Sequence, residues 1–265
     1  MRKILIENAL IPQIIAEEKD YLVVYKPPRM HSAPLVKSMG NDTLLQWCIE
    51  KFPEIADLPG RKAGEGGLLH RLDYETQGLV LILRTKPGMD ALLGQQREGK
   101  IIKGYSALVS ESHTLLPGFP LERPELPPSV LSGDYNSAGL FWIKSAFRPY
   151  GPGRKAVRPV LFETLPGENK LKRYSTEILE FQHPSISVVS MGVASLRLRI
   201  LEGFRHQIRC HLAWLLLPIL NDGVYGGSVY GKGYLALRAN SLSFSDPSTG
   251  QERSYSIPTL GLNEI

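Results

Sequence analysis

Short, densely apolar runs alternate along the chain with polar connections punctuated by proline and glycine. Gly78-Leu79-Val80-Leu81-Ile82-Leu83 is aliphatic throughout, with the length and branched content of a strand buried on both faces. Asp20-Tyr21-Leu22-Val23-Val24-Tyr25 predicts a second strand, stopped by Lys26-Pro27-Pro28. Ile101 to Ser110, Tyr174 to Phe181, Ala194 to Ile200 and Leu235 to Phe244 predict four more. In the third of these, Leu196, Leu198 and Ile200 alternate with Arg197 and Arg199, which predicts one apolar and one basic face.

Helical spacing occurs three times. Asp42 to Phe52 predicts a helix capped by Asp42 or Thr43, with Leu44, Leu45 and Cys48 turned inward. Pro87 opens a second helix that runs to about Arg97. Arg205 to Leu216 is a third, with Ile208, Leu212 and Leu215 at spacings of four and three as its buried stripe. Leu115 to Pro128, rich in Pro and Leu, predicts a surface loop. No internal repeat or low-complexity tract is evident. Strands and helices mix without regular βαβ alternation, so the fold class is α+β rather than a doubly wound sheet.

Composition narrows this picture. The 265 residues are 43% hydrophobic and 22% charged, ordinary for a soluble globular protein with a real core. No apolar run approaches the roughly 18 residues that cross a bilayer, and Glu7 and Asn8 spoil the N-terminal stretch as a secretory signal. The two cysteines, Cys48 and Cys210, fall in separate helical stretches, which suggests no disulfide framework and a cytoplasmic setting. The net charge is +5, and one segment carries more than that excess. From Lys144 to Arg173 eight basic residues face only Glu163 and Glu168. Such a run is either a solvated hairpin or an arm that contacts phosphates through Arg154, Lys155 and Arg158.

Several patterns mimic known chemistry and fail. Gly226-Gly227-Ser228-Val229-Tyr230-Gly231-Lys232-Gly233 nearly spells a phosphate-binding P-loop, but the last position is not Ser or Thr and a strand follows. His206, Cys210 and His211 resemble a metal cluster, yet on a helix His211 points about 100° away from the other two, so no metal is expected. Asp73 and Glu75 lie too close in sequence for a glycosidase pair, which normally comes from separate elements. His70-Arg71-Leu72-Asp73 is harder to dismiss, because it sets three ionisable groups against the apolar run after Gly78, where charge is costly unless paired. In an extended segment Arg71 and Asp73 project to one side while Leu72 packs behind. Asp73 then requires a cation, and Arg209 is the best candidate, with Arg205 one helical turn away on the same face. A structural ion pair would satisfy the same spacing.

At these residues the sequence resembles the RluA-type pseudouridine synthase family. His70-Arg71-Leu72-Asp73 with Thr76 and Gly78, Lys103-Gly104-Tyr105-Ser106-Ala107-Leu108-Val109, and Gly203 to Leu212 with Pro218-Ile219, Asp222 and Tyr225-Gly226 match its blocks in order, across about residues 12 to 245. The resemblance implies a pseudouridine synthase fold: a mixed, mostly antiparallel sheet with flanking helices and a central active-site cleft. It implies one catalytic domain over 1–265, without an N-terminal S4 module. It also implies that Asp73 is the essential carboxylate, that Tyr105 stacks on uracil and that Arg209 keeps the carboxylate ionised. Arg71 would fill the stack vacated by a flipped base, with His70, Arg205 and His206 contacting substrate. The partner would be structured ribosomal or transfer RNA, bound by a monomer without cofactor; a non-catalytic RNA-binding module or RNA chaperone is the alternative. The chain departs from the family pattern at Gln77 (usually Ser), Phe204-Arg205 (Arg-Thr), Asn221 (Gly) and Arg238 (His), and its N-K-P-x-G turn reads Tyr25-Lys26-Pro27-Pro28-Arg29.

Overall fold

The computed structural model describes residues 5–34, 42–60, 65–127, 141–161, 171–182 and 192–265. Among these, ten strands and three α-helices follow in chain order. They are β1 (Gln13–Glu17), β2 (Tyr21–Lys26), α1 (Leu44–Lys51), β3 (Gln77–Leu83), α2 (Lys86–Arg97), β4 (Ile102–Ser110), β5 (Phe141–Tyr150), β6 (Ala156–Val160), β7 (Tyr174–Gln182), β8 (Val193–Ile200), α3 (Gln207–Trp214), β9 (Leu237–Ser245) and β10 (Glu252–Ser256). The chain packs as two compact units, one of residues 1–104 and 238–259, the other of 105–237 and 260–265. The boundary falls inside β4.

In the first unit the strand order is β1-β2-β3-β9, with β10 on β9. All pairings there are antiparallel except β3 with β9. Every residue of β2 and β3 is buried, as the continuous apolar runs predict. On one face Tyr21, Val23, Tyr25, Leu79, Leu81 and Leu83 pack with Leu92 of α2 and Phe244 of β9. Each such aliphatic side chain contributes about 1.5–3 kcal/mol relative to exposure. Gly78 is required twice over. Its φ is +126°, and a Cβ there would stand 2.2 Å from the Ala239 carbonyl oxygen, so only glycine lets β9 approach β3. Helix α1 starts where Thr43 caps it, its hydroxyl accepting from Gln46 N, and Leu44, Leu45 and Cys48 are buried as predicted.

In the second unit the order is β4-β8-β7-β5-β6, and α3 packs on β6 and β7. Strands β5 and β6 form an antiparallel hairpin that places Gly151 to Lys155 in its turn. The apolar side of β8 is as predicted, but its other side is not a free basic face. Arg197 pairs with Glu180 at 2.8 Å, and Arg199 pairs with the buried Glu177, each across the strand boundary on β7. Helix α3 begins later than the periodicity predicts. His206 takes a left-handed backbone (φ 57°) as its N-cap, so Arg205 lies in the preceding turn rather than one helical turn from Arg209. All eight residues of α3 are buried, which widens the predicted stripe to the full circumference.

Strands β1, β5, β6 and β10 are not among those the sequence predicts. Their patterns mix exposed, charged or proline residues with apolar ones, and cross-strand pairing rather than local periodicity holds them.

Candidate active site

In the first unit the segment from His70 to Thr76 runs into β3. Its backbone is held from two sides. The Ser32 hydroxyl accepts from Leu72 N (3.1 Å) and donates to Leu72 O (2.9 Å), while Leu72 itself is buried, as the alternation predicts. Lys26 Nζ donates to Tyr74 O (3.3 Å), to Pro27 O (2.9 Å) and to Met30 O (2.8 Å). Asp73 sits between these anchors, half-buried, and its carbonyl accepts from Thr76 N at 3.1 Å to close a turn.

Lys26 is the residue that sequence reasoning missed. Burial pushes its pKa down to about 7, and the charges of Asp73 and Glu75 oppose that shift. Its three carbonyl partners take three N–H donors, the full complement of an ammonium and one more than a neutral amine carries. The ammonium is therefore the form that fits, and it places a buried positive charge under the Asp73 turn. The available signal was a lysine ending a strand whose other residues all read as buried.

His70 and Arg71 are also engaged. His70 Nε2 accepts from Leu81 N at 3.2 Å, tying the segment to β3 and requiring that nitrogen to be unprotonated. The Arg71 side chain is 56% exposed and its Nη1 is 2.8 Å from Glu65 Oε1. Two departures from the family pattern prove to be one arrangement. Gln77 Oε1 accepts from Arg238 Nε (3.2 Å) and Nη2 (2.9 Å) and from Tyr25 OH (2.8 Å), all buried.

In the second unit Tyr105 is a buried residue of β4. Arg209 forms a two-pronged pair with Asp222, Nε to Oδ2 at 2.7 Å and Nη2 to Oδ1 at 2.8 Å, with side chains 5% and 0% exposed. Asp222 Oδ1 also accepts from Val224 N and Tyr225 N, so the carboxylate organises the turn as well as the arginine. The Arg209 guanidinium lies 5.4 Å from the Tyr225 ring centre. Burial pushes the Tyr225 phenol well above its usual range; its OH accepts from Val157 N at 3.0 Å and lies 3.1 Å from His206 Nδ1.

Other departures also have local causes. Asn221 has φ 64°, a left-handed conformation that Asn tolerates better than most residues. Its amide bonds Tyr230 N, Tyr230 O and Tyr234 O, fixing the false P-loop as a turn. Phe204 stacks on Phe147 at 5.0 Å and 8°. Arg205 donates to Arg154 O (2.5 Å) and Ala156 O (3.1 Å), so it grips the β5–β6 turn.

The basic segment divides. Arg158 is 5% exposed, donates to Pro117 O and Val157 O, and packs its guanidinium 4.3 Å from the Tyr150 ring centre and 4.5 Å from that of Phe119. Burial lowers its pKa. Protein carbonyls and rings thus engage the guanidinium that the sequence offered as a phosphate contact, although the residue also helps line the cleft of the hairpin turn. Arg154 and Lys155 are exposed in the hairpin turn, where Lys155, Tyr150, Gly151 and Arg158 help line a shallow cleft of about 470 Å³. Lys172 pairs with Glu202. Glu163, Glu168 and Lys170 lie outside the described residues. Replacing Arg154 and Lys155 with Ala should make the slope of log affinity against log salt shallower by about 0.7–0.9 per lost phosphate contact. Titrating RNA at several salt concentrations measures it, and an unchanged slope returns the turn to a solvated hairpin.

The apparent metal cluster is spoken for. His211 is fully buried, with Thr176 Oγ1 2.8 Å from Nδ1 and Ser145 Oγ 2.9 Å from Nε2, and burial pushes its pKa down to about 3. Burial raises the Cys210 thiol, which lies 3.5 Å from Val157 O.

The family profile described as RNA pseudouridylate synthase matches residues 20–214. Ribosomal large subunit pseudouridine synthase D of Vibrio parahaemolyticus is 25% identical over 263 residues, covering 94% of this chain and 67% of that protein. The protein of the same name from Escherichia coli K12 is 27% identical over 216 residues, and the match takes 81% of this chain and 52% of that one, about half its length. Among solved structures, human RNA Pseudouridylate Synthase Domain Containing 1 has a TM-score of 0.59 at 21% identity, with 95% of this chain and 84% of that chain covered. Human RNA Pseudouridylate Synthase Domain Containing 4 has a TM-score of 0.57 at 18% identity, with coverage of 95% and 90%. At these identities the structural likeness speaks for the fold.

Proposed function

The chain belongs to the RNA pseudouridylate synthase family, and from that premise we propose that it isomerises a uridine of structured RNA to pseudouridine with Asp73 as the essential carboxylate. The reaction breaks the bond between ribose C1′ and uracil N1, turns the base and rejoins it through C5. A proton leaves C5 and N1 gains one, so the step is redox-neutral and its fragments stay bound. Asp73 acts as nucleophile or base, at the sugar or at the uracil. Tyr105 and Arg209 keep the roles their motif blocks imply, a ring against the uracil and a fixed positive charge.

The observation that carries the Asp73 assignment is the Lys26 clamp. A buried ammonium bonded to Tyr74 O, whose own charge is supported by Asp73, holds the carboxylate's backbone in place. A buried charge is an expensive way to stabilise a surface turn and an effective way to preorganise a reacting group. The target base must leave its stack to reach such a site. Arg71, whose side chain is 56% exposed, is proposed to occupy the gap, turning from the largely buried Glu65 toward RNA.

The names of the bacterial relatives favour ribosomal RNA over transfer RNA as substrate. Large-subunit rRNA transcripts carrying tritium at uridine C5 test the reading, since isomerisation at C5 releases the label to water. Release from rRNA but not from tRNA transcripts is expected. No release from either overturns the enzymatic reading in favour of an RNA-binding module.

A further inference from the structure

Immediately after Asp73 the chain presents Tyr74, a large aromatic residue left 42% exposed. Scattered exposed aromatics are ordinary, but this one is built in place. Its ring centre lies 4.6 Å from that of His31, at an interplanar angle of 39°. Both backbones are anchored: Tyr74 O accepts from buried Lys26, and His31 O accepts from Leu44 N at 2.9 Å at the start of α1. His31 also bridges Thr43, and its neighbour Ser32 is locked onto Leu72 by two hydrogen bonds. Two rings are thus held together on rigid supports while retaining exposed surface.

Two half-exposed arginines flank them in sequence. Arg29, with a left-handed backbone (φ 57°), is 3.6 Å from Glu75, and Arg71 pairs with Glu65. The Arg29–Glu75 pair is exposed on both sides and therefore weak, so Arg29 can trade its carboxylate for a backbone phosphate, while Arg71 reaches solvent beside a largely buried Glu65.

We propose that the His31–Tyr74 pair is a stacking platform for an unpaired nucleobase adjacent to the target uridine. The proposal rests on the assignment of Asp73 to uridine chemistry. Flipping one base out of a stem or loop leaves its neighbours with an uncovered face. Such a base is captured best by an aromatic ring whose conformational cost is already met, and capture is tolerant of sequence because every base has a π-face. Consecutive Cα atoms are 3.8 Å apart, so Tyr74 is placed to receive a base next to the one that Asp73 engages. The platform is a binding element, and Tyr74 makes no bond to the reacting atoms.

An abasic scan tests the proposal. The probe is an RNA stem-loop with a uridine at the centre of a seven-nucleotide loop, intact or with one flanking loop base removed at a time. Wild type should lose about tenfold in affinity at one flanking position, within the range measured for base–aromatic stacking. Tyr74→Ala should lose about tenfold on the intact probe and then be indifferent to removal of that same base. Tyr74→Phe should behave as wild type, and Tyr74→Leu, which keeps apolar bulk without a ring, as Tyr74→Ala. An intact probe bound equally by wild type and Tyr74→Ala, including not at all, overturns the platform. So does a Tyr74→Ala protein as sensitive to every abasic position as wild type. The readout needs no turnover, so it separates the two claims. Coupling without tritium release sinks the enzymatic reading, and release without coupling sinks the platform.

Discussion

Asp73→Asn should yield a folded protein that binds RNA almost as wild type and releases no detectable tritium from C5-labelled uridine. The substitution keeps the side chain's size and one acceptor oxygen while removing the charge and the nucleophile. Loss of a reacting group of this kind costs at least about a thousandfold in turnover. Some stability should go with it. Lys26 is pushed toward its neutral form by burial, and Asp73 is one of the two charges that oppose the shift. Without that charge the ammonium under the turn is less favoured, a cost of about 1 kcal/mol near neutral pH. Affinity, melting temperature and label release should be measured together on the one variant. Turnover near the wild-type rate would refute the catalytic assignment, and a protein that merely unfolds would show Asp73 to be a structural partner of Lys26.

The largest stability effect should come from Asp222→Ala. It removes the carboxylate that grips Arg209 at 2.7 and 2.8 Å in a site where both side chains are nearly inaccessible. It also strips an acceptor from Val224 N and Tyr225 N. Breaking one side of a buried pair costs about 3–5 kcal/mol, because the remaining charge stays out of water. For a chain of this size that lowers the melting temperature by roughly 6–20 °C. Arg209→Met with Asp222→Leu should recover much of the stability, since no charge is then buried, yet remain inactive if Arg209 serves the reaction. Urea and thermal melts of the single and double variants decide this. A loss below about 1 kcal/mol for Asp222→Ala would mean that Arg209 is compensated elsewhere.

The fold was legible where the local pattern and the tertiary environment agree. The runs of β2 and β3 are apolar at every position because both their faces are covered, and Thr43 stands where a helix needs an oxygen acceptor. Strands β5 and β6 were not, since their basic residues satisfy themselves by stacking on Tyr150 and Phe119 and by bonding carbonyls of a distant loop. No period in the sequence encodes that. For the same reason a count of charges could not separate Arg158, sealed among rings, from Arg154 and Lys155, which meet solvent. Of the candidate site the sequence carried the motif blocks, Asp222 among them. What the blocks hid is the support beneath Asp73: the Lys26 clamp on Tyr74 and the Ser32 lock on Leu72 join groups 48 and 40 residues apart. Arg205 was misplaced because a left-handed His206 starts the helix later than spacing alone allows.

The contact between Gln77 and Arg238 also makes the two positions unequal in what they tolerate. Without Arg238, Gln77 Oε1 would still accept from Tyr25 OH, so a smaller side chain there leaves the glutamine satisfied. Without Gln77, the guanidinium would lose the acceptor for two of its N–H groups in a buried setting, with Pro258 O as a remaining partner. The dependence therefore runs one way: the arginine leans on the glutamine more than the glutamine leans on the arginine.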